Sequence, residues 1–329
     1  MIGKRKIVLT LACVFIIGIL LSGCSSTDTS AGATSKVSSN STTSPVSTSP
    51  SSTVADKTES PLWKAVADAT VEHANFAAGF INEKSGITVG YAGEIHYTTD
   101  GGKTWPTSTN NSACRWGLDI VNENLAWCCG NNGNIRVSKD LGQSWDAVSD
   151  CKGPCKFISF VDDKTGWVAN TDWLQVTSDS GKTWKDITIP SELNGIAAIN
   201  LFSTTDGYIL NSNGMLYSTK DGGKTWSTPQ DLGIKNLKID NKNIPSATSA
   251  CAAIRFTDSN NGIIVFSGVS GTDSGNVWAL KTADSGKTWT TQELNVDKLY
   301  YQSTVYLSHD GKYLTLRNEL NKIEVLLLK

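Results

Sequence analysis

The chain has 329 residues and a formal net charge of −2, with eleven Trp, 29 Gly and only two Met. That composition suits many short strands joined by tight turns and excludes a bundle of long helices. The weakly acidic balance excludes the basic footprint that a nucleic-acid partner requires, so none is expected.

Lys4, Arg5 and Lys6 precede an apolar run from Ile7 to Leu21 that ends abruptly at Ser22-Gly23-Cys24. Such a run falls short of the roughly 20 residues of a membrane-spanning helix and reads as an export signal. The tetrapeptide Leu21-Ser22-Gly23-Cys24 resembles the lipobox of bacterial lipoproteins. The resemblance implies diacylglycerol on the Cys24 thiol, loss of residues 1–23 as a signal peptide, and an extracytoplasmic protein lipid-anchored to a bacterial membrane. Loss of the three cations takes the formal charge from −2 to −5. Residues 25–60 hold 21 Ser or Thr among 36, with Pro45 and Pro50 and no aromatic residue. Such a stretch buries too little apolar surface to offset its ordering entropy, so 24–60 is expected to be a disordered tether and 61–329 the folded domain.

The folded part is organised by a repeat. An octapeptide of pattern [Ser/Thr]-x-Asp-x-Gly-x-[Thr/Ser]-Trp occurs five times, with its Asp, Gly and Trp at Asp100, Gly102 and Trp105; Asp140, Gly142 and Trp145; Asp179, Gly181 and Trp184; Asp221, Gly223 and Trp226; and Asp284, Gly286 and Trp289. The steps of 40, 39, 42 and 63 residues match one four-stranded propeller blade three times and a blade with an insertion once. The Asp accepts N–H groups across a turn, the Gly takes positive φ, and the Trp opens the next strand and packs on the blade. These fifteen positions are therefore read as structural.

Upstream of each octapeptide stands an apolar-x-apolar triplet followed six residues on by a small residue: Ala78-x-Phe80 then Gly86, Leu118-x-Ile120 then Ala126, Ile158-x-Phe160 then Gly166, Ile199-x-Leu201 then Gly207, and Ile254-x-Phe256 then Gly262. The alternation marks the first strand of a blade and the small residue the entry to the second. Three further strands are expected over Gln302–Leu307, Tyr313–Arg317 and Lys322–Leu328, with no fourth. Pro61–Val66 resembles the strand that follows an octapeptide, so it is expected to complete the last blade and close the ring, which removes open edges. The expectation is an all-β propeller of six four-stranded blades, with seven as the alternative should 227–250 hide extra strands.

The octapeptides resemble the Asp-box, the repeat named after bacterial neuraminidases and shared with xyloglucan hydrolases and sortilin-type receptors. The Gly86-x-x-x-Gly90-x-x-Gly93 spacing before Asp100-Gly-Gly-Lys-Thr-Trp105 resembles most the photosystem II stability and assembly factor family. The resemblance implies the propeller and a binding or assembly role. That family is expected to present an arginine-rich patch, whereas residues 61–329 hold only Arg115, Arg136, Arg255 and Arg317, so no photosystem partner is inferred.

Six cysteines remain in the folded part: Cys114, Cys128, Cys129, Cys151, Cys155 and Cys251. In an exported domain they are compatible with disulfides, whose about fifteen pairings sequence leaves open. Cys151-Lys-Gly-Pro-Cys155 has near-ligand spacing, but His73, His96 and His309 all lie far off in sequence, and neither metal nor cofactor is expected.

A sialidase would need converging arginines that this chain does not supply in motif. Another glycoside hydrolase would need two carboxylates about 5–10 Å apart, and the candidates Glu72, Asp172, Asp273 and Glu319 form no sequence pair. The exported hydrolase is therefore the alternative to a monomeric binding or assembly protein whose partner is an envelope protein or a glycan. The octapeptides occupy one end of the ring, and the irregular segments 227–250, 268–275 and 151–155 fall at the other, where repeat scaffolds carry binding elements. Candidate binding residues there are Arg115, Trp116, Asp172, Trp173, Asp273, Tyr300 and Tyr301, with Arg255 on an innermost strand. Trp278 stands at the position matching Trp173.

Overall fold

The computed structural model describes residues 63–70, 75–90, 93–108, 114–234, 238–239, 242–243, 252–267, 275–299, 303–318 and 322–328. The export signal, Cys24 and the 24–60 segment lie outside the described residues.

The chain is a six-bladed β-propeller of antiparallel sheets. Strand β1 (Trp63–Thr70) is set aside for the last blade. Blade 1 holds β2 (Asn75–Phe80), β3 (Gly86–Gly90) and β4 (Ile95–Thr98). Blade 2 holds β5 (Cys114–Asn122), β6 (Leu125–Gly130), β7 (Ile135–Ser138) and β8 (Asp146–Ala147). Blade 3 holds β9 (Phe157–Phe160), β10 (Gly166–Ala169), β11 (Leu174–Thr177) and β12 (Lys185–Ile187). Blade 4 holds β13 (Ile196–Leu201), β14 (Gly207–Asn211), β15 (Met215–Thr219) and β16 (Gln230–Asp231). Among the described residues of the long connection after it stands the small hairpin β17 (Lys238–Ile239) and β18 (Lys242–Asn243), not a seventh blade. Blade 5 holds β19 (Ala252–Phe256), β20 (Gly262–Ser267), β21 (Gly275–Thr282) and β22 (Thr290–Leu299). Blade 6 holds β23 (Thr304–Leu307), β24 (Tyr313–Arg317) and β25 (Lys322–Leu328), and β1 pairs with β25 from Trp63↔Leu328 to Thr70↔Lys322. The ring is closed by the strand expected to close it.

Blade 1 departs from four full strands. Among the described residues its outer strand is the bridge His96↔Thr107, because Pro106 follows Trp105 where Asp146 and Lys185 stand in blades 2 and 3. The Tyr97 N–H still reaches the Pro106 carbonyl at 3.1 Å, but proline has no N–H to return the bond.

Among the described residues the apolar side chains gather in six clusters between neighbouring blades, the one between blades 1 and 2 also taking in Tyr306 of blade 6. Between blades 2 and 3, for example, Trp127 stacks on Phe160 with ring centroids 3.8 Å apart, and between blades 4 and 5 Tyr208 stacks on Phe256 at the same distance. The octapeptide Trp meets the innermost Phe of its own blade edge-on, as Trp105 does Phe80, Trp184 Phe160 and Trp289 Phe256. This packing explains the small residue that opens each second strand. A Cβ on Gly166 would lie 2.4 Å from the Phe160 ring, well inside contact distance, so the ring lies where a side chain would be.

The octapeptide turn is repeated bond for bond. In the first, the Thr98 hydroxyl donates to Asp100 Oδ1 at 2.8 Å and accepts the Gly102 N–H at 2.9 Å, while the Thr104 N–H and hydroxyl donate to the two Asp100 oxygens at 3.0 and 2.7 Å. The Thr104 hydroxyl, the Thr104 N–H and the Thr98 hydroxyl hold the Asp100 carboxyl down to about 2. The residue before the octapeptide Gly is left-handed as well, even where it is Leu141, Ser180 or Ser285, a backbone cost that these four hydrogen bonds of the turn offset. Trp184 and Trp226 then tie their blade to the preceding one through indole N–H bonds to the Ser149 and Thr188 carbonyls at 3.2 and 3.0 Å.

Asp140→Ala removes the acceptor of the Ser144 N–H and of the Ser138 and Ser144 hydroxyls. It is expected to destabilise the domain by about 1–2 kcal/mol, read as a lower denaturant midpoint at unchanged slope. An unchanged midpoint would contradict the structural role.

Candidate functional site

The middle residue of each innermost triplet lines up around the ring: Gly79, Asp119, Ser159, Asn200, Arg255 and Tyr306. Those at blades 2 to 4 each accept a backbone N–H of the next blade. Asp119 takes it from Phe160 at 2.7 Å, Ser159 from Leu201 at 3.0 Å and Asn200 from Phe256 at 2.6 Å. Blade 1 breaks the series because glycine has nothing to offer. There Tyr306 passes over Gly79, where a Cβ would sit 2.7 Å from its ring. Its hydroxyl accepts the Ile120 N–H at 3.0 Å and donates to the Ile120 carbonyl at 3.1 Å. Blade 6 meets blade 1 instead through Thr315, whose hydroxyl accepts the Phe80 N–H at 3.0 Å.

Charge crosses the ring at the same level. Arg255 on blade 5 donates from Nη2 to Asp119 Oδ1 on blade 2 at 3.0 Å and to the Leu307 carbonyl at 3.3 Å. His309, in the turn after β23, places Nε2 at 2.8 Å from the Phe160 carbonyl and 3.6 Å from Asp119 Oδ2. Asp119 is 1 % exposed and Arg255 is buried with it. Burial pushes the Asp119 carboxyl up, but the Arg255 guanidinium, His309 and the Phe160 N–H outweigh it and hold it down to about 2. The candidate binding residue Arg255 is thus engaged inside the ring.

At the end opposite the octapeptides, Trp116 and Trp173 are both half-buried and Asp172 is exposed. Trp116 sits in a bulge of β5 between Cys114 and Gly117, and blades 1 and 4 carry bulges at the equivalent place. Bulges re-aim side chains at a sheet rim. Trp173 packs with Cys151 against the cluster that holds Cys129, Cys155 and Ile158. Its counterpart Trp278 is buried in the core between blades 4 and 5. The structure therefore unites Trp173 with the 151–155 loop and separates both from Arg255. Asp273, Tyr300, Tyr301, Glu72, Glu319, His73, Cys251 and the side chains of Cys114 and Arg115 lie outside the described residues. Cys128 is disulfide-bonded, whereas Cys129, Cys151 and Cys155 are free.

Asp119, Ser159, Asn200, Tyr306 and His309 escape sequence reasoning. The signal was present in the first four as a polar residue in the middle of an apolar-x-apolar triplet. Its use depends on which blade stands next to which. Among the described residues no group of three or more His, Cys, Asp or Glu is placed to hold a metal ion, and no helix is long and apolar enough to cross a membrane.

Residues 156–319 match the DUF6242 beta propeller domain family. No curated protein sequence matches the chain. Among solved structures, the chain is similar to YCF48 bound to D1 peptide, with a TM-score of 0.50 and 18 % identity over 85 % of this chain and 100 % of that one. It is similar to the WD40 beta propeller domain of Doa1, with a TM-score of 0.50 and 8 % identity over 81 % and 97 % of the two chains. The GH74 xyloglucanase from Xanthomonas campestris gives a TM-score of 0.50 and 11 % identity over 80 % of this chain and 53 % of that one. At these identities the likeness concerns the fold.

Proposed function

We propose that the protein is a membrane-anchored, extracytoplasmic binding or assembly protein that takes a protein segment on the propeller end opposite the octapeptides. The observation that carries this reading is the contrast between the two ends. At one, the five repeated Asp carboxylates are tied into their own turns. At the other, the half-buried Trp116 in the β5 bulge and the half-buried Trp173 beside the exposed Asp172 in the turn before β11 stand at the rim, the arrangement that supplies aromatic anchors with a polar rim. YCF48, similar in fold, is known bound to D1 peptide, which favours a protein partner over a glycan here.

The experiment is capture of a partner from an envelope extract, followed by affinity measurement on folded variants. Trp173→Ala is expected to weaken binding by about 1–3 kcal/mol, whereas folded Asp140→Ala binds as the parent does. The opposite pattern would move the interface to the octapeptide end.

The anchor is tested separately. Lipid attachment requires the Cys24 thiol, so Cys24→Ser is expected to abolish fatty-acid labelling and to leave an unprocessed precursor. Undiminished labelling in that variant would remove the anchor from the reading.

A further inference from the structure

Three thiols meet beneath the connection between blades 2 and 3. Cys129 lies on β6, and Cys151 and Cys155 bracket the turn Lys152-Gly153-Pro154. Cys129 and Cys155 are fully buried and Cys151 is half-buried. All three belong to the apolar cluster between blades 2 and 3; Cys151 Sγ donates to the Gly153 carbonyl at 3.4 Å, Cys155 Sγ to the Phe157 carbonyl at 3.3 Å and Cys129 Sγ to the Cys155 carbonyl at 3.3 Å.

The loop is held at both ends. The Cys151 N–H donates to the Gly133 carbonyl at 2.9 Å and the Cys155 N–H to the Gly130 carbonyl at 3.1 Å. The Lys152 N–H donates to Gln175 Oε1 at 2.9 Å, and Gln175 in turn donates to Asp186 at 3.0 Å. A Cβ on Gly133 would lie 2.5 Å from the Cys151 carbonyl, so the loop seats on a turn that must be glycine there. Hydrogen bonding to Cys155 and burial push the Cys151 thiol up, and burial pushes up that of Cys155. Both are therefore protonated at rest, and exchange proceeds through the small thiolate fraction.

We propose that Cys151 and Cys155 form an exchangeable disulfide, entered at Cys151 by a small disulfide or by the disulfide of a thiol–disulfide oxidoreductase. Cys151 loses its proton to solvent, and its sulfur attacks one sulfur of the incoming R–S–S–R. The S–S bond breaks, a mixed disulfide forms on Cys151, and RS⁻ leaves and takes up a proton. Cys155 then gives up its proton and attacks Cys151 Sγ, expelling the second RS⁻. The pair is oxidised by two electrons and R–S–S–R is reduced to two RSH. The order follows from exposure, because Cys151 alone of the three presents surface to an incoming disulfide. Cys129, behind Cys155 and without solvent exposure, stays reduced. The new bond closes the turn that carries Lys152 and stiffens the surface on which Trp173 packs.

The test uses the full chain, incubated with oxidised glutathione, alkylated with iodoacetamide in denaturant and digested with trypsin without reduction. Lys152 separates the two cysteines, so the proposed bond joins peptide 140–152 to peptide 153–156. That linkage, with Cys129 alkylated in peptide 116–136, is the expected result. Peptide 153–156 joined instead to 116–136, a glutathione adduct that persists on Cys151, or three alkylated thiols would each overturn the proposal. Cys151→Ser, at a half-buried position, is expected to slow loss of the Cys155 thiol at least about tenfold, and an unchanged rate would also overturn it. The mapping on the unsubstituted chain decides the question even if that variant does not fold.

Discussion

Asp119→Ala is expected to destabilise the propeller by about 3–5 kcal/mol, because it leaves the buried Arg255 guanidinium without its counter-charge. The same change removes the acceptor of the Phe160 N–H and a neighbour of His309, so blades 2, 3, 5 and 6 all lose a tie at once. For a domain of this size each kcal/mol corresponds to about 2–4 °C in melting temperature. Replacing both partners, Asp119→Leu with Arg255→Met, is expected to recover part of the loss, since neither charge of the pair is then left buried, while the Phe160 N–H still lacks its acceptor. A melting temperature within 2–3 °C or so of the parent for Asp119→Ala alone would show that the cross-ring pair contributes little.

The pair also has a pH signature. The Asp119 carboxyl is held down to about 2 in the folded ring, below its value of about 3.9 in an unfolded chain. A group depressed on folding contributes stability that is complete above the unfolded value and is lost as pH falls through the folded one. The difference in stability between the parent and Asp119→Asn is therefore expected to shrink between about pH 4 and pH 2. The octapeptide carboxyls are held down as well but are common to both proteins and cancel in the comparison. A difference that stays constant over that interval would contradict the assignment.

The second large effect is expected at the ring closure. A chain beginning at residue 61 should melt with the parent, whereas one beginning at residue 71 should lose several kcal/mol or aggregate. The second truncation removes β1 and its pairs with β25 from Trp63↔Leu328 to Thr70↔Lys322, each hydrogen bond worth about 0.5–1.5 kcal/mol net. It also bares the outer edge of β25, whose Val325 and Leu326 are buried in the intact ring, and an apolar open edge invites pairing with other chains. Equal denaturant midpoints for the two truncations would contradict closure by β1.

Much of this architecture was legible in the sequence. The strand expected over Tyr313–Arg317 is β24 and that over Lys322–Leu328 is β25, residue for residue, and Pro61–Val66 anticipated β1 on the correct blade. Each octapeptide Asp accepts a backbone N–H within its own turn. These features depend on neighbours within one hairpin, where strand alternation and turn chemistry act over a few residues. The residue before the octapeptide Gly was missed because its left-handed backbone is imposed by the turn as a whole and not by its own identity, as Leu141 shows.

What only the tertiary structure decided is which distant residues meet. Asp119 and Arg255 are 136 residues apart, and His309 and Phe160 are 149 apart. Periodicity cannot pair them, because Asp119, Arg255 and Phe160 lie on strands whose local pattern is the same as that of every other blade, and His309 lies in a turn. Trp173 and Trp278 hold matching positions, yet one is half-buried beside the 151–155 loop and the other is closed into the core. The difference comes from what each neighbouring blade and connection lays over the ring. Sequence determined the repeat, its turns and its closing strand because those are local or periodic interactions; the charged centre exists only once six blades close a circle and bring opposite innermost strands within hydrogen-bond reach, and the thiol cluster only once blade 3 packs on blade 2.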